Sequence, residues 1–170
     1  RLVGNMLKII SGGQTGVDRG ALEAALEVGV DFGGWAPQRF IAEDGVIPAV
    51  FRIKMKQTST ADYRKRTRQN IISSDGTLIF VDAQRADVGP GTALTLDLCN
   101  KLQKPHLRVP MDVRRTPDAS LAEMIRAWCE DEVVMVLNVA GPRETHSPGA
   151  QRWVKEQMIL VLKPVVVIPV

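Results

Sequence analysis

The sequence predicts a doubly wound α/β fold, in which helices cover both faces of a mostly parallel sheet. Strand, loop and helix segments follow one another about four times along the 170 residues. The strand segments are runs of Val, Ile and Leu without polar alternation, which is typical of strands buried on both faces. No internal repeat, low-complexity tract or linker interrupts the chain, so we expect residues 1–170 to form a single domain.

The first strand and helix show this pattern clearly. Leu7–Ser11 is a short β-rich run, and three glycines separate it from apolar residues at helical spacing over Ala21–Val28. We expect Gly29 to end this helix, because glycine readily adopts the left-handed conformation found after helix C-termini. Further strands are predicted at Phe32–Ala36, Gly76–Asp82, Pro105–Val109, Val133–Ala140 and Val165–Val170.

Two later helices carry N-terminal signals. Ser59 or Thr60 can cap a helix over Thr60–Ser73, and a helix from Pro117 to about Asp131 has proline near its first position. Apolar periodicity predicts two more helices, at Thr92–Gln103 and Ala150–Leu162. The remaining segments are a predicted polar loop at Pro37–Pro48 and an ambiguous stretch at Phe51–Lys56.

Composition and charge argue against several classes of protein. No apolar run approaches the ~18–20 residues of a transmembrane helix, so we expect no membrane partner. The net charge of +3 forms no Lys/Arg stripe beyond Tyr63–Arg68, which argues against nucleic acid as a partner. The distant Cys99 and Cys129 fit a reduced, cytoplasmic protein. Because His, Cys, Asp and Glu show no metal-ligand spacing, no metal site is predicted.

Three glycine-rich loops are predicted at one edge of the sheet. The carboxyl ends of parallel strands share an edge, and ligands bind there in α/β folds. The loops are Ser11–Arg19, Asp82–Thr92 and Asn138–Gly149. A helix N-terminus favours an anion, and glycine lets a phosphate approach the backbone. Their convergence predicts a phosphorylated small-molecule ligand, although tight turns alone explain one glycine per loop.

Individual motifs in these loops are incomplete. No Lys-Ser/Thr pair follows Gly16, and Ser11 replaces the first glycine of a dinucleotide fingerprint. Asp18 and Asp82 could orient a ribose or an amine, act as a base, or serve only in capping. His146 lies in the third loop and could contact a ligand, although a lone loop histidine is usually solvated. On the helix predicted at 60–73, four polar or aromatic residues share one stripe that could reach the glycine edge: Tyr63, Arg66, Thr67 and Asn70.

Four segments of the sequence resemble a known family. They are IISGGQTGVDRGAL from Ile9, GGWAPQRFIAEDGVIP from Gly33, TADYRKRTRQNIISSDGTLIF from Thr60, and NVAGPRET from Asn138 followed by SPG. These motifs, which span roughly residues 7–150, resemble the putative molybdenum carrier family. That family is regarded as a circularly permuted branch of a Rossmann-like superfamily. Its relatives include the lysine-decarboxylase-like phosphoribohydrolases and the DNA-processing protein A family.

The resemblance implies a Rossmann-like, ligand-binding domain for a nucleotide-like or phosphorylated pterin ligand. Molybdenum cofactor (molybdopterin) is then the expected ligand, held through its phosphate, with a nucleotide phosphate as the other possibility. The metal would arrive within the ligand. Enzymatic relatives carry a catalytic glutamate where this chain has Thr95, and this departure argues against phosphoribohydrolase activity.

The leading hypothesis is therefore a cytoplasmic binding protein rather than an enzyme. Arg19 and Arg143 would pair with phosphate, while Trp35 or Tyr63 would stack on a flat ring. The complete set of expected ligand contacts is Gly12, Gly13, Gln14, Thr15, Gly16, Asp18, Arg19, Trp35, Pro37, Tyr63, Arg66, Asn70, Asp82, Gly89, Gly91, Thr92, Gly141, Arg143 and Glu144.

Three further expectations remain open. The alternative to a carrier is a nucleotide-metabolite hydrolase, whose acid or base would be one of Asp18, Asp82 and Glu144. A weaker hypothesis is a nucleic-acid module that uses the basic residues within Tyr63–Arg68. The predicted strand Val165–Val170 could lie at an edge of the sheet and pair two copies into a homo-oligomer.

Overall fold

The computed structural model describes residues 7–163, which contain a six-stranded parallel sheet with helices on both faces. This confirms the predicted Rossmann-like α/β fold. The predicted strand Val165–Val170 lies outside the described residues. In chain order the strands are β1 (Lys8–Ile10), β2 (Phe32–Ala36), β3 (Ile41–Ala42), β4 (Gly45–Val46), β5 (Met55–Gln57), β6 (Gly76–Asp82), β7 (His106–Met111) and β8 (Val136–Ala140).

The helices form two layers around the sheet. They are α1 (Val17–Val28), α2 (Ala49–Arg52), α3 (Tyr63–Ile72), α4 (Pro90–Lys101), α5 (Ala119–Asp131) and α6 (Ala150–Leu162). Helices α1 and α5 both pack against α6, while α3 packs against α4. The larger core includes an edge-to-face pair of Phe80 and Trp153, whose ring centroids lie 6.0 Å apart. A smaller core contains Ile71 of α3, Ile79 of β6 and Leu98 of α4.

Two helices begin later than their sequence signals indicated. The side chain of Asp62 caps α3, so neither Ser59 nor Thr60 is the cap. Likewise Asp118 caps α5, and Pro117 precedes the helix instead of starting it. In each case the carboxylate accepts a hydrogen bond from the backbone N–H two residues on, which satisfies a donor that the helix leaves free.

Other boundaries also differ from the predictions. Helix α4 begins at Pro90, two residues earlier than expected, because proline suits the first helical position. Strand β8 begins three residues later than expected, after Val133 adopts a left-handed φ of 54°. The predicted loop Pro37–Pro48 contains the antiparallel hairpin of β3 and β4. The ambiguous stretch Phe51–Lys56 is divided between the end of α2 and the start of β5.

The strand order places a topological switch at the centre of the sheet. The order across it is β5-β2-β1-β8-β6-β7, so the chain first extends the sheet to one side of β1 and later builds the other side. Such a reversal leaves a crevice at the carboxyl ends of the central strands. None of the helices within residues 7–163 is long and apolar enough to cross a membrane.

Candidate functional site

A cleft of about 580 Å³ opens at the carboxyl ends of β1, β6 and β8. Its walls come from all three glycine-rich loops and from the N-terminal half of α3. The structure therefore brings the loops to one edge and adds the polar stripe of α3 beside them. The volume lies within the range of roughly 300–1,000 Å³ that is usual for small-molecule sites.

The residues expected to contact a ligand divide into two groups. Those that line the cleft are Gly12, Gln14, Asp18, Tyr63, Arg66, Asn70, Gly89, Gly91, Thr92, Gly141 and Arg143. Those that do not line it are Gly13, Thr15, Gly16, Arg19, Trp35, Pro37, Asp82 and Glu144. The second group has structural contacts elsewhere, and these contacts explain why several predicted ligand groups face away from the cleft.

Five consecutive backbone N–H groups of the first loop, from Gly13 to Val17, are occupied by acceptors within the protein. The pairs are Gly13 N with Ser11 Oγ (3.2 Å), Gln14 N with Asp18 Oδ2 (3.3 Å), Thr15 N with Gln14 Oε1 (3.1 Å), Gly16 N with Gln151 Oε1 (3.2 Å) and Val17 N with Pro142 O (3.1 Å). At the N-terminus of α1, Val17 N, Arg19 N and Gly20 N are also bonded, and of its first four residues only Asp18 has an N–H without an acceptor in the described part of the chain. The first loop therefore offers fewer free N–H groups to a phosphate than the glycine pattern predicts.

The glycines of the first loop allow close packing. Gly16 has a φ of +81°, and a Cβ there would lie 2.5 Å from the backbone oxygen of Pro142. At Gly12 a Cβ would lie 1.7 Å from Nη1 of Arg66. These glycines let the third loop and α3 approach the first loop, so the tight-packing interpretation explains both of them.

A side chain of the third loop accepts hydrogen bonds from backbone N–H groups at the N-terminus of α6. The Glu144 carboxylate accepts hydrogen bonds from the backbone N–H groups of Gly149 (2.7 Å) and Gln151 (2.9 Å). Ser147 donates its hydroxyl to the buried Asp82 carboxylate at 2.6 Å. Both acids therefore order backbone and loop structure instead of lining the cleft.

Helix α4 presents an open N-terminus to the cleft. Its N-cap is Gly89, with a φ of +77°, and its first residue is Pro90. No side chain caps this helix, and within residues 7–163 the N–H groups of Gly91 and Thr92 have no acceptor. A Cβ at Gly91 would meet no atom within 4 Å. Two free donors and the positive end of the helix dipole therefore lie at the wall of the cleft.

Two guanidinium groups flank the aromatic ring of Tyr63 in the cleft. The Cζ atoms of Arg66 and Arg143 lie 5.1 Å and 5.5 Å from the ring centroid, at cation–π distances. Arg66 also pairs with Asp18, with 3.2 Å between Nη1 and Oδ2. Burial raises the pKa of the Asp18 carboxyl, although the neighbouring guanidinium opposes this shift. Arg64 and Asp62 also line the cleft, so its lining holds three guanidinium groups and two carboxylates, a modest excess of positive charge.

The aromatic residue available at the cleft is Tyr63 and not Trp35. The indole N–H of Trp35 donates to Ser73 at 3.2 Å, and Lys56 lies over its ring at 5.5 Å. The Asn70 amide exchanges two hydrogen bonds with the Trp35 backbone, at 2.8 and 2.9 Å. Asn70 thus lines the cleft while its amide joins α3 to β2.

An acidic pair on the β3–β4 hairpin holds the first and third loops, and the sequence analysis missed it as part of the site. Glu43 accepts hydrogen bonds from the hydroxyls of Thr15 and Thr145, and Asp44 pairs with Arg19. Burial acts to raise the pKa of Glu43, but the bonds from both threonines hold it below its ordinary value. We call this pair the 43–44 clasp. The sequence signal for this pair was an acidic dipeptide that precedes a turn glycine, within one of the four segments that resemble the known family.

The structure adds cleft residues that were not among the expected contacts. The His146 ring lies beside the start of α4, since a Cβ at Gly89 would be 3.1 Å from it. Thr95 lines the cleft and donates its hydroxyl to Gly91 O at 3.0 Å. The position of His146 in the third loop indicated its place, and the resemblance to the enzymatic relatives had singled out Thr95 as the residue at their glutamate position.

Comparison with known proteins identifies the family of this fold and cleft. A family model described as the circularly permutated YpsA SLOG family matches residues 9–162. The chain belongs to this family. It is also similar to a structure solved at 1.45 Å resolution, that of a protein named "putative molybdenum carrier protein" from Syntrophus aciditrophicus SB. The two are 35% identical with a TM-score of 0.83, over 94% of this chain and 96% of that chain.

The SLOG family match confirms the resemblance found in the sequence motifs. A search of curated proteins finds none that matches the chain. The family and the name of the similar structure suggest a ligand-binding role. They do not by themselves identify the ligand, for which the cleft supplies the physical argument.

Proposed function

We propose that this chain binds a phosphorylated small molecule, nucleotide-like or pterin, in the cleft at the carboxyl edge of the sheet. The observation that carries the proposal is the open N-terminus of α4, where Gly91 and Thr92 present free N–H groups. An anion at this position gains charge-assisted hydrogen bonds and a favourable helix dipole. Arg66 and Arg143 supply positive charge from other walls of the same cleft.

The rest of the cleft suits a flat ring. Tyr63 and the guanidinium groups beside it offer planar surfaces, and Val88, Leu94 and Val139 add apolar lining. Phosphate at α4 and a ring against this surface would share one cavity of about 580 Å³.

Molybdenum cofactor is the named candidate ligand, as the name of the similar structure suggests. Within residues 7–163 no group of His, Cys, Asp and Glu could hold a metal ion, and Cys99 and Cys129 are buried outside the cleft. The donors present fit a phosphate and the oxygen atoms of a ring. The chain would therefore hold such a cargo by its phosphate and pterin, and the dithiolene of the cargo would keep the metal.

Calorimetry tests this proposal with matched pairs of ligands. Ribose 5-phosphate, inosine monophosphate and a phosphorylated pterin should bind, while ribose, inosine and the dephosphorylated pterin should bind at least tenfold more weakly. The affinity should also fall with ionic strength, because guanidinium groups contribute to it. If none of the phosphorylated compounds releases or absorbs heat at millimolar concentration, the proposal is wrong.

A hydrolase acting on a nucleotide metabolite is the second candidate, and Asp18 favours it. This carboxyl lines the cleft and burial raises its pKa, a combination that suits a general acid. Incubation with nucleoside monophosphates and ADP-ribose, followed by chromatography, should then show product that the Asp18→Asn variant does not form. Complete recovery of every substrate from the wild-type incubation would exclude hydrolysis of these compounds.

A further inference from the structure

His146 lines the cleft, and the nitrogens of its ring make no hydrogen bond in the described part of the chain. Its backbone is held on both sides. The N–H donates to Arg143 O at 3.1 Å, and the C=O accepts from Nη1 of Arg85 at 2.9 Å. The residue is half-buried, so the loop fixes its position while its ring nitrogens stay available to a molecule in the cleft.

The first turn of α4 defines where an acceptor belongs. In a capped helix, an oxygen bonded to the Cβ of the N-cap accepts from the N–H of the second or third helical residue. In α4 those residues are Gly91 and Thr92, whose N–H groups are free, and the N-cap is Gly89. Gly89 has an extended ψ of 158°, as ordinary N-caps do, and ψ determines where its Cβ would lie relative to the helix. The missing cap side chain therefore marks the place of an acceptor for these donors.

The ring of His146 borders that place. Its Nε2 and Cε1 would each lie 3.1 Å from a Cβ at Gly89, and its Cδ2 would lie 3.7 Å away. The edge of the ring that carries Nε2 is thus the nearest to the cap position. Because a capping oxygen is bonded directly to that Cβ, an anionic oxygen in its place can accept from Nε2 as well as from the helix.

We propose that His146 binds the phosphate of the ligand together with the N-terminus of α4, an inference that rests on the proposed function. Nε2 donates to an anion either from the imidazolium or from the neutral tautomer that carries its proton there. The phosphate would then accept from Gly91 N, Thr92 N and His146 Nε2. The third loop supplies one of these donors, which adds a side-chain contact to the two backbone contacts of α4.

NMR tests this contact directly, because the chain has two histidines, His106 and His146. Titration with ribose 5-phosphate should shift the Cε1–H signal of His146. The signal of His106 should not move, since its Nδ1 lies 3.2 Å from Lys104 O and the residue does not line the cleft. Ribose at the same concentration should shift neither signal.

The two possible failures are distinguishable. If calorimetry shows that ribose 5-phosphate binds but the His146 signal does not move, the inference is overturned and the proposed function stands. If ribose 5-phosphate does not bind to the wild-type chain, the proposed function fails, and this inference fails with it.

Substitution of His146 measures the contribution of the ring. His146→Phe keeps a planar ring and removes both nitrogens, so the Kd for ribose 5-phosphate should rise about tenfold or more, as expected for one lost hydrogen bond to a charged group. His146→Gln restores an N–H donor and should recover part of the affinity. His106→Phe is the matched control and should have the Kd of the wild type.

A wild-type Kd in His146→Phe would overturn the inference. Tighter binding would also overturn it, because the ring would then compete with phosphate for the cap position instead of binding it. Thermal melting establishes that each variant is folded. If His146→Phe does not fold, His146→Ala replaces it, and an unchanged Kd there would equally count against the proposed contact.

Discussion

Substitution of Gly91 by aspartate should stabilise the fold and abolish ligand binding. Gly91 is the second residue of α4, its φ is not left-handed, and a side chain there would enter open space. An acidic side chain in the first turn contributes about 0.3–1 kcal/mol, and removing a helical glycine adds a few tenths. The sum, about 1 kcal/mol, corresponds to a rise of roughly 2–4 °C in Tm for a chain of this size.

The same carboxylate would take the place of the ligand phosphate. It would compete for the N–H groups of Gly91 and Thr92, each of which is worth roughly 1.5–3 kcal/mol when it bonds to a charged partner. Like-charge repulsion adds to this loss. We therefore expect the Kd for ribose 5-phosphate to rise at least about 100-fold, which corresponds to roughly 2.7 kcal/mol.

Ala93→Asp is the matched control for charge. Ala93 is exposed on the same helix, two residues further on, and does not line the cleft. This variant should change the Kd by less than about fivefold in calorimetry. Wild-type affinity in Gly91→Asp would show that phosphate does not bind at α4. Equal losses in both variants would show that general charge repulsion, and not occupation of the N-terminus, weakens binding.

Three further predictions concern stability and reactivity. Gly16→Ala should lower the free energy of unfolding, measured in denaturant, by more than about 2 kcal/mol, whereas Gly29→Ala should lower it by roughly 1 kcal/mol. Both glycines have a positive φ, but only Gly16 lies against the backbone of another loop. Equal losses would contradict this prediction. Glu43→Gln should destabilise the fold at pH 7. The difference in unfolding free energy between wild type and variant should shrink as the pH falls below 4.5, because a carboxyl with a lowered pKa stabilises the fold only while it is ionised. A difference that stays constant from pH 7 to pH 3 would be inconsistent with this prediction. Cys129 should resist alkylation at pH 8 in the native chain, because burial raises the pKa of its thiol to about 12; reaction as fast as in urea would refute this.

The fold was predictable wherever a local pattern determines an element. Strand β6 and helix α6 have the predicted bounds, because an uninterrupted apolar run and a regular apolar period are both local signals. The start of α3 was predicted wrongly because Ser59, Thr60 and Asp62 are all residue types that cap helices and lie within four positions, and the cap is Asp62. The β3–β4 hairpin was missed because each of its strands has two residues, too few for a period.

The candidate site was predictable to a lesser extent. Helical spacing correctly placed Tyr63 and Arg66 on the stripe of α3 that reaches the glycine edge. The occupation of most N–H groups in the first loop could not be predicted, because Gly16 N, for example, donates to Gln151, which lies 135 residues away in the chain. The 43–44 clasp likewise joins segments that are distant in sequence. Local patterns identify groups able to bind, whereas long-range contacts decide which of them remain free.

A glycine in a loop shows that something approaches the backbone, but the sequence does not show what approaches. In this chain a guanidinium approaches Gly12, the backbone of another loop approaches Gly16, and no protein atom lies near the missing side chain of Gly91. Only the last arrangement leaves space for a ligand and free N–H groups to bind it. For anion binding, the important glycine is therefore the one beside which no other part of the protein fills the space of a side chain. On that physical ground we propose α4 as the anion site, although the first loop has the more familiar motif.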